Sequence, residues 1–319
     1  MPEKAAGLFG LITDSAAWME MKGMDRKAIR GSLLLLLGAM IWGAAFVAQR
    51  VGMDHVQPFT FTGVRMLLAW LVMIPISAVS RKKTGAETAK KAARDQRSGG
   101  LLCGVLLFTA TSLQQIGLVY TAAGKAGFIT ALYVVLVPVA SWLLFRKQPG
   151  RAVWAAVGIA VVSLFLLCVP AEGFRLERGD GMLIGCAVCF TAQILCVDHF
   201  APRVDGPTLA RDEFLVTGVL GMIVALLTEE IHPEGLLEAA VPILYSGVLS
   251  GAAGYTIQII GQRDVNPTVA SLMMCLESVF AVLTGAILLG ERMTGREALG
   301  SALMFAAVVL AQLSARRRD

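Results

Sequence analysis

The sequence carries little charge for its length. Only 16% of its 319 residues are Asp, Glu, Lys or Arg, whereas soluble domains average about 25%. Hydrophobic residues make up 56% and the mean hydropathy is +0.69, so one soluble core cannot bury this much apolar side chain. The net charge of +5 comes from short basic runs between apolar segments. This pattern is typical of the loops that orient a membrane protein and not of a nucleic-acid-binding face. The composition therefore indicates an integral membrane protein.

The motifs of ATP-driven, metal-dependent and serine-nucleophile chemistry are missing. Gly124 and Lys125 are followed by Ala126, where a P-loop needs Ser or Thr. Neither HExxH nor GxSxG occurs, and the pair Cys186-x-x-Cys189 has no second pair or nearby His that would predict a metal or redox site. We therefore expect no cofactor, no metal and no enzymatic activity. Two other functions stay open as alternatives for such a membrane protein: a membrane-embedded enzyme and a non-transporting membrane scaffold.

Long apolar runs are abundant. A membrane-spanning helix needs about 20 mostly apolar residues, and its backbone polar groups must bond within the segment. Ten segments meet the length condition: 31–50, 58–79, 99–119, 123–145, 152–169, 180–199, 208–228, 241–261, 267–290 and 296–314. The sequence therefore predicts an all-α integral membrane protein with ten transmembrane helices.

The distribution of Lys and Arg predicts the orientation. If both termini are cytoplasmic, 21 of the 28 Lys and Arg residues fall in inside segments and six fall outside, while Arg65 lies within a span. The loop 229–241 has four Glu and neither Lys nor Arg, and it falls outside. Because cytoplasmic loops are enriched in basic residues, we expect both termini on the cytoplasmic side of the plasma (inner) membrane.

The chain resembles itself at a separation of about 144 residues. "QQIGLVYTAAGKAGFITAL" at 114–132 aligns with "QIIGQRDVNPTVASLMMCL" at 258–276, which pairs Gln114 with Gln258. Each half contains five predicted spans, and an odd repeat must enter the membrane from opposite sides in its two copies. The halves are therefore predicted to be inverted repeats, an arrangement of secondary transporters with the substrate site near the midplane.

The repeat divides the chain into five predicted parts. They are an N-terminal cytoplasmic extension at 1–30, a first five-helix repeat at 31–169, a linker at 170–179, a second repeat at 180–314 and a basic cytoplasmic tail at 315–319. Met24, which precedes the basic run before the first span, is the position where we expect the protein to begin.

Four stretches resemble the EamA-like transporter family of the drug/metabolite transporter superfamily. They are "GAMIWGAAFVAQ" (38–49), "PFTFTGVRMLLA" (58–69), "AGKAGFITALYVVLVP" (123–138) and "LESVFAVLTGAILLGERMTGREALGSALMFAAVVL" (276–310). Ser278 stands where the family pattern has Pro. The resemblance covers about residues 30–314. It implies a secondary transporter that exports or exchanges a small solute such as a metabolite, an amino acid or a drug.

Glu277 lies near the middle of the ninth predicted span. An ionised carboxylate at the bilayer centre costs about 2.5–3.5 kcal/mol on insertion scales, so this side chain is expected to face water or the bundle interior, or to carry a proton. Helical spacing places Met273, Phe280 and Thr284 on the same face, which suits a cavity wall. We expect Glu277 to bind solute and couple transport to protons. The alternative is a hydrogen-bonded Glu that locks two helices together.

Amides and aromatic rings in other spans complete the predicted site. Aromatic rings stack on organic solutes and cations, and amides both donate and accept hydrogen bonds. The alternative for each of these side chains is packing or hydrogen bonding between helices. The predicted substrate-binding residues are Trp42, Phe46, Gln49, Gln114, Gln193, Tyr255, Gln258, Met273, Glu277 and Phe280.

Other charged residues and one proline receive structural interpretations. Arg65 and Lys125 are expected to extend their charged ends to the outer interface, and the alternatives for Arg65 are binding of an anionic substrate or pairing with a carboxylate. Glu213 is expected to pair with Arg211 or a lipid headgroup, with a gating role as the alternative. Pro138 is expected to kink the fourth span.

Overall fold

The described regular structure is entirely helical. The computed structural model describes residues 26–80, 86–121, 123–146, 148–169, 177–288 and 293–316. The predicted extension up to residue 25, residues 170–176 of the predicted linker and residues 317–319 of the tail lie outside the described residues.

Ten helical segments match the predicted spans. Uninterrupted helices form span 1 (Arg26–Gly52), span 2 (Pro58–Ser80), span 3 (Ala86–Tyr120), span 5 (Arg151–Cys168), span 6 (Asp180–Phe200), span 7 (Gly206–Thr228) and span 10 (Gly295–Arg316). Span 4 consists of Ala123–Thr130 and Tyr133–Phe145, and span 9 of Pro267–Met274 and Leu276–Leu288. Span 8 consists of Ala240–Leu244, a π-helix at Tyr245–Tyr255 and Thr256–Gln262, and a short helix at Pro233–Glu238 precedes it.

Nine of the helical segments in the described part of the chain are long and apolar enough to cross a membrane. The remaining one is span 7, whose 23 residues provide the length. Arg211, Asp212 and Glu213 lie consecutively in it and raise its local charge. Arg211 binds Asp212 at 2.6 Å, and Glu213 is buried inside the bundle, so these charges do not face lipid as isolated groups.

Packing between the spans is the same in the two halves. Span 3 packs against span 6 as span 8 packs against span 1, and span 4 packs against span 6 as span 9 packs against span 1. Span 2 packs against span 7, and span 5 packs against span 10. Each of these pairs is its own equivalent when the two halves are exchanged. Exchanging each span with the one five positions later therefore preserves the contacts. Because five is odd, the two copies run through the membrane in opposite directions, as predicted.

Two apolar clusters flank the centre of the bundle. One is formed by spans 4, 5, 9 and 10 with parts of spans 1 and 6, and the other by spans 2, 3, 7 and 8 with a part of span 6. Phe190 of span 6 packs against both clusters. The centre of the molecule therefore lies where the two clusters meet.

Spans 2 and 7 cross in close contact. A Cβ added at Gly63 would lie 2.8 Å from the backbone nitrogen of Met222, and one at Gly221 would lie 2.9 Å from the Cα of Gly63. Such distances are shorter than real Cβ contacts, so only glycine allows this approach. The crossing holds the two halves together.

The same two spans are tied together at both ends. At one end, the Glu229 carboxylate accepts hydrogen bonds from the backbone nitrogens of Phe59 and Thr60, at 2.8 and 2.7 Å, which are otherwise unsatisfied donors in the first turn of span 2. At the other end, Asp205 caps span 7 and accepts a hydrogen bond from the Ser80 hydroxyl at 2.6 Å. Spans 2 and 7 thus form a fixed pair.

Spans 4 and 9 are interrupted at equivalent positions. The break in span 4 is at Ala131 and Leu132, and that in span 9 is at Cys275. Ala131 and Cys275 are 144 residues apart, and the Cys275 sulfur lies 3.8 Å from the Ala131 carbonyl oxygen. The interruption in span 4 therefore precedes Pro138, where we expected the kink, and the helix runs through that proline. The two breaks meet at the centre of the molecule.

Candidate functional site

A central cavity lies beside the two breaks. Both halves contribute to its wall. The predicted site residues that line it are Trp42, Gln49, Gln114, Gln193, Tyr255, Gln258 and Glu277. The lining residues that sequence reasoning did not assign to the site are Arg65, Thr130, Tyr133, Phe190, Ile194, Ser250 and Met274.

Two predicted site residues whose side chains the structure describes, Met273 and Phe280, are not in this lining. Met273 is buried beside span 10, where its sulfur accepts a hydrogen bond from the Gln312 amide at 3.2 Å. Phe280 packs against the apolar cluster of spans 4, 5, 9 and 10. The expected common face of Met273 and Glu277 is interrupted because the helix breaks at Cys275. The side chain of Phe46 lies outside the part of the chain that the structure describes.

Arg65 does not extend to the outer interface, so that expectation is wrong. Its side chain is 3% exposed and lines the cavity, with the guanidinium carbon 5.3 Å from the centre of the Phe61 ring. Span 2 is enclosed by spans 7 and 8, and Gly247 of span 8 packs on the backbone oxygen of Arg65. Close neighbours on these sides direct the side chain into the bundle.

Lining residues occur as equivalent pairs that are 144 residues apart. Gln49 corresponds to Gln193, and Gln114 corresponds to Gln258. The repeat alignment revealed the second pair but not the first. The cavity therefore lies on the pseudo-two-fold axis that relates the two halves.

Tyr133 and Glu277 form a third equivalent pair, also 144 residues apart. Tyr133 lies two residues after Ala131 and Glu277 lies two residues after Cys275, the equivalent residues of the two breaks. Glu277 is 8% exposed, so it is shielded from lipid. No group of three or more His, Cys, Asp or Glu side chains gathers as a metal site among the described residues.

A chain of amides connects the cavity to a second buried carboxyl group. The Gln258 amide donates to the Gln193 side-chain oxygen at 3.3 Å, and the Gln193 amide donates to Glu213 Oε1 at 2.9 Å. Glu213 is fully buried and does not pair with Arg211, which binds Asp212 instead. The expected pairing is therefore wrong, and Glu213 belongs to the polar network around the cavity.

An aromatic wall crosses between the halves. The ring centres of Trp42 and Tyr255 are 5.0 Å apart, and the Trp42 indole donates to the Ser250 backbone oxygen at 3.1 Å. Ser250 and Tyr255 belong to the π-helix of span 8, a geometry frequent at functional sites. The two rings line the cavity together with Arg65 and Glu277.

Lys125 is also buried, contrary to the expectation that it extends to the interface. Its ammonium group lies 2.8 Å from Asp180 and 3.5 Å from Glu177, and the Lys125 and Asp180 side chains are each 5% exposed. This ion pair joins span 4 to span 6 at the end predicted to be external. The partner of Lys125 lies in another span, so the sequence of span 4 alone does not show it.

Comparisons with known proteins agree with this architecture. A model of the EamA-like transporter family matches residues 29–169 and 177–313. An "Uncharacterized transporter" of Archaeoglobus fulgidus is 29% identical over 291 residues, which cover 90% of this chain and 87% of the relative. A "Probable amino-acid metabolite efflux pump" of Salmonella typhimurium is 24% identical, covering 90% and 95% of the two chains.

The chain is also similar to a named exporter and to a solved structure. The "Threonine/homoserine exporter RhtA" of Salmonella typhimurium is 28% identical over 188 residues, which cover 56% of this chain and 60% of that protein. A solved crystal structure superposes with a TM-score of 0.71 at 20% identity, and the match covers 91% of this chain and 98% of that one. At this identity the superposition shows a shared fold.

Proposed function

This chain belongs to the EamA-like transporter family, and from this premise we propose that it is a secondary-active transporter that exports or exchanges a small metabolite, amino acid or drug-like solute by alternating access. The observation that carries the proposal is the polar cavity between two inverted halves, beside two broken spans. Discontinuous helices near the midplane commonly build solute sites in such transporters. Export is the favoured direction because two relatives are named as an exporter and an efflux pump.

The packing supports a division of labour between the spans. Spans 2 and 7 are tied at both ends and cross at glycines, so they serve as the fixed frame. Spans 4 and 9 are broken beside the cavity. Span 4 packs against span 6 and span 9 packs against span 1, so each broken span contacts the other half. Small rotations at the breaks would open the cavity to one side while closing the other.

Glu277 is the proposed proton-coupling residue. Its carboxyl lines the cavity together with Tyr133 and is shielded from lipid. A carboxyl in this setting can carry a proton in one state of the cycle and release it, or receive a cationic group, in another. The amides and the Trp42 and Tyr255 rings are proposed to bind the solute.

We assign the transport halves to residues 31–169 and 180–314, with the extension 1–30, the linker 170–179 and the tail 315–319 outside them. The excess of Lys and Arg in alternate loops supports a plasma-membrane protein with both termini in the cytoplasm.

Flux through sealed vesicles tests this function. The full chain is reconstituted, and the efflux of threonine and homoserine is measured with and without a pH gradient. We expect gradient-dependent flux that Glu277→Gln abolishes, while Glu230→Gln, which alters a carboxyl group that is 88% exposed, leaves it unchanged. Unaltered pH-dependent flux in the Glu277 variant would make this residue a structural bond. Turnover of a solute in detergent without any gradient would favour an enzyme instead.

A further inference from the structure

Arg65 is a buried cation whose counter-ion is not provided by the described part of the protein. Its side chain is 3% exposed, and its Nε has no hydrogen-bond partner. None of the ion pairs among the described residues includes it. Lys125 is buried to a similar extent but has Asp180 at 2.8 Å. Arg65 and Lys125 therefore differ in that only Lys125 has a carboxylate partner among the described residues.

An unpaired buried charge is costly, by several kcal/mol per ion even after relaxation. The Phe61 ring offsets part of this cost, since a cation over an aromatic face gains about 0.5–2 kcal/mol. The ring covers one face of the planar guanidinium and leaves the N–H donors at its edge. Those donors form a fork that matches the two oxygens of a carboxylate.

The residues around Arg65 indicate what would complete the site. Glu277 and Tyr255 line the same cavity, and Glu277 forms no ion pair with Arg65. Glu213 is hydrogen-bonded to Gln193 and is not an ion-pair partner of Arg65 either. The cavity thus has a cation and a carboxyl group that do not form an ion pair with each other, and the rings of Trp42 and Tyr255 line it with them.

We propose that Arg65 is the carboxylate-binding residue of the cavity and that the transported solute is a small molecule with an obligatory carboxylate. An ammonium group on the same molecule is placed toward Glu277 and the rings of Trp42 and Tyr255, so zwitterions bind better than simple acids. This inference rests on the proposed function, and it narrows the solute class by excluding amines and neutral drugs that lack an acid group.

Matched probes test the carboxylate requirement on the unaltered protein. Each probe set contains an amino acid, its methyl ester, the acid without the amino group and the amine without the carboxylate. The leucine set is L-leucine, L-leucine methyl ester, 4-methylpentanoate and 3-methylbutylamine, and alanine and phenylalanine give two further sets. Dissociation constants are measured calorimetrically with the purified full chain in detergent. We expect the amino acid to bind tightest in at least one set, the acid more weakly, and the ester and the amine at least tenfold more weakly than the amino acid.

Variants of two arginines test the residue assignment. Arg65→Gln should weaken the binding of the amino acid at least tenfold, and Arg65→Lys should give an intermediate loss because it keeps the charge but not the fork. Arg296→Gln is the matched control: this guanidinium also lies 5.3 Å from a ring, that of Phe165, but outside the cavity. It should bind the probes as the parent chain does.

Several outcomes would overturn the inference. They are an amine or ester that binds as tightly as its amino acid, the absence of binding for every acid in the three sets, and normal affinity in Arg65→Gln. Failure of the proposed function is distinguishable, because calorimetry needs no gradient. Carboxylate-dependent binding without vesicle flux would reject transport alone, whereas flux of an amine without carboxylate dependence would reject the role of Arg65 alone.

Discussion

The two halves of the molecule share one architecture but not one chemistry. Equivalent amides line the cavity from both sides, and the breaks in spans 4 and 9 meet at equivalent residues. Yet Tyr133 in the first half corresponds to Glu277 in the second. The repeat therefore provides the frame of the cavity, and its acidic group comes from a difference between the copies.

The two ends of the bundle differ in the same way. At the end predicted to be external, Lys125 and Asp180 form a buried ion pair between spans 4 and 6. The positions that are 144 residues away are Val269 and Leu36, which both belong to an apolar cluster. One end is thus closed by an ion pair and the other by apolar contact, although the helices that meet there are equivalent.

The largest effect is expected from breaking the ion pair. Lys125→Met leaves the Asp180 carboxylate buried without its cation, and such a loss typically costs about 3–5 kcal/mol. Val269→Ala, at the equivalent position, removes two methyl groups from an apolar contact and costs about 2 kcal/mol. Equilibrium unfolding in mixed micelles measures both losses.

A double variant sharpens this test. Lys125→Met combined with Asp180→Asn removes both buried charges of the pair and should recover most of the lost free energy of unfolding, because a neutral replacement of a buried pair is often harmless. If the double variant is no more stable than Lys125→Met alone, the ion pair does not account for the difference between the ends.

A smaller effect is expected where span 1 crosses span 9. A Cβ added at Gly43 would lie 2.6 Å from the Cβ of Phe280 and 2.7 Å from the backbone oxygen of Glu277. The equivalent position in the second half is the buried Ala187, so that copy accommodates a methyl group. Gly43→Ala should lower the free energy of unfolding by about 1–3 kcal/mol through overpacking.

The reverse change is the control for this crossing. Ala187→Gly should cost only about 1 kcal/mol, through backbone entropy and one lost methyl group. Gly43→Ala should also reduce solute flux because it displaces the backbone at Glu277. A Gly43→Ala protein with unchanged stability and unchanged flux would show that the crossing of spans 1 and 9 accommodates a methyl group, as the equivalent crossing of spans 4 and 6 does.

The smallest difference in the free energy of unfolding is expected between substitutions of the equivalent glutamines Gln193 and Gln49. Gln193→Leu leaves both carboxyl oxygens of Glu213 without a partner, whereas Gln49→Leu leaves only the Gln115 amide without its acceptor. An unsatisfied buried group costs about 1–3 kcal/mol, and more when it is charged. Gln193→Leu should therefore destabilise by about 2 kcal/mol and Gln49→Leu by about 1 kcal/mol. Equal losses in unfolding experiments would remove Glu213 from the network.

The membrane architecture could be predicted from the sequence because it depends on the length and number of apolar segments. Span number follows from the length of apolar runs, and the inverted arrangement follows from an odd repeat. Glu277 could be singled out because a carboxyl group in an apolar run has an energetic cost that one residue reveals. Gln114 and Gln258 could be found because they fall in the best-aligned part of the repeat.

Features that depend on neighbouring spans could not be predicted in this way. Arg65 and Lys125 were interpreted from their depth in one helix, yet the helices packed around them bury both side chains. Met273 was assigned to the face of Glu277 on the assumption of a continuous helix, which the break at Cys275 interrupts. Tyr133 lies in a uniformly apolar segment, so no pattern in span 4 indicates which side chain faces the cavity.

Accessibility of Ser250 is the most direct test of the central claim, that solute passes through the cavity between the two unequal halves. Ser250 lines the cavity and is 3% exposed, and Ser250→Cys is a small change. A membrane-impermeant thiol reagent is applied to right-side-out and inside-out vesicles, with the parent chain as background because its own cysteines are buried or half-buried. The account predicts that Ser250→Cys is labelled from either face of the membrane, and that labelling from one face prevents later labelling from the other. Labelling from one face only, or from neither, would contradict it.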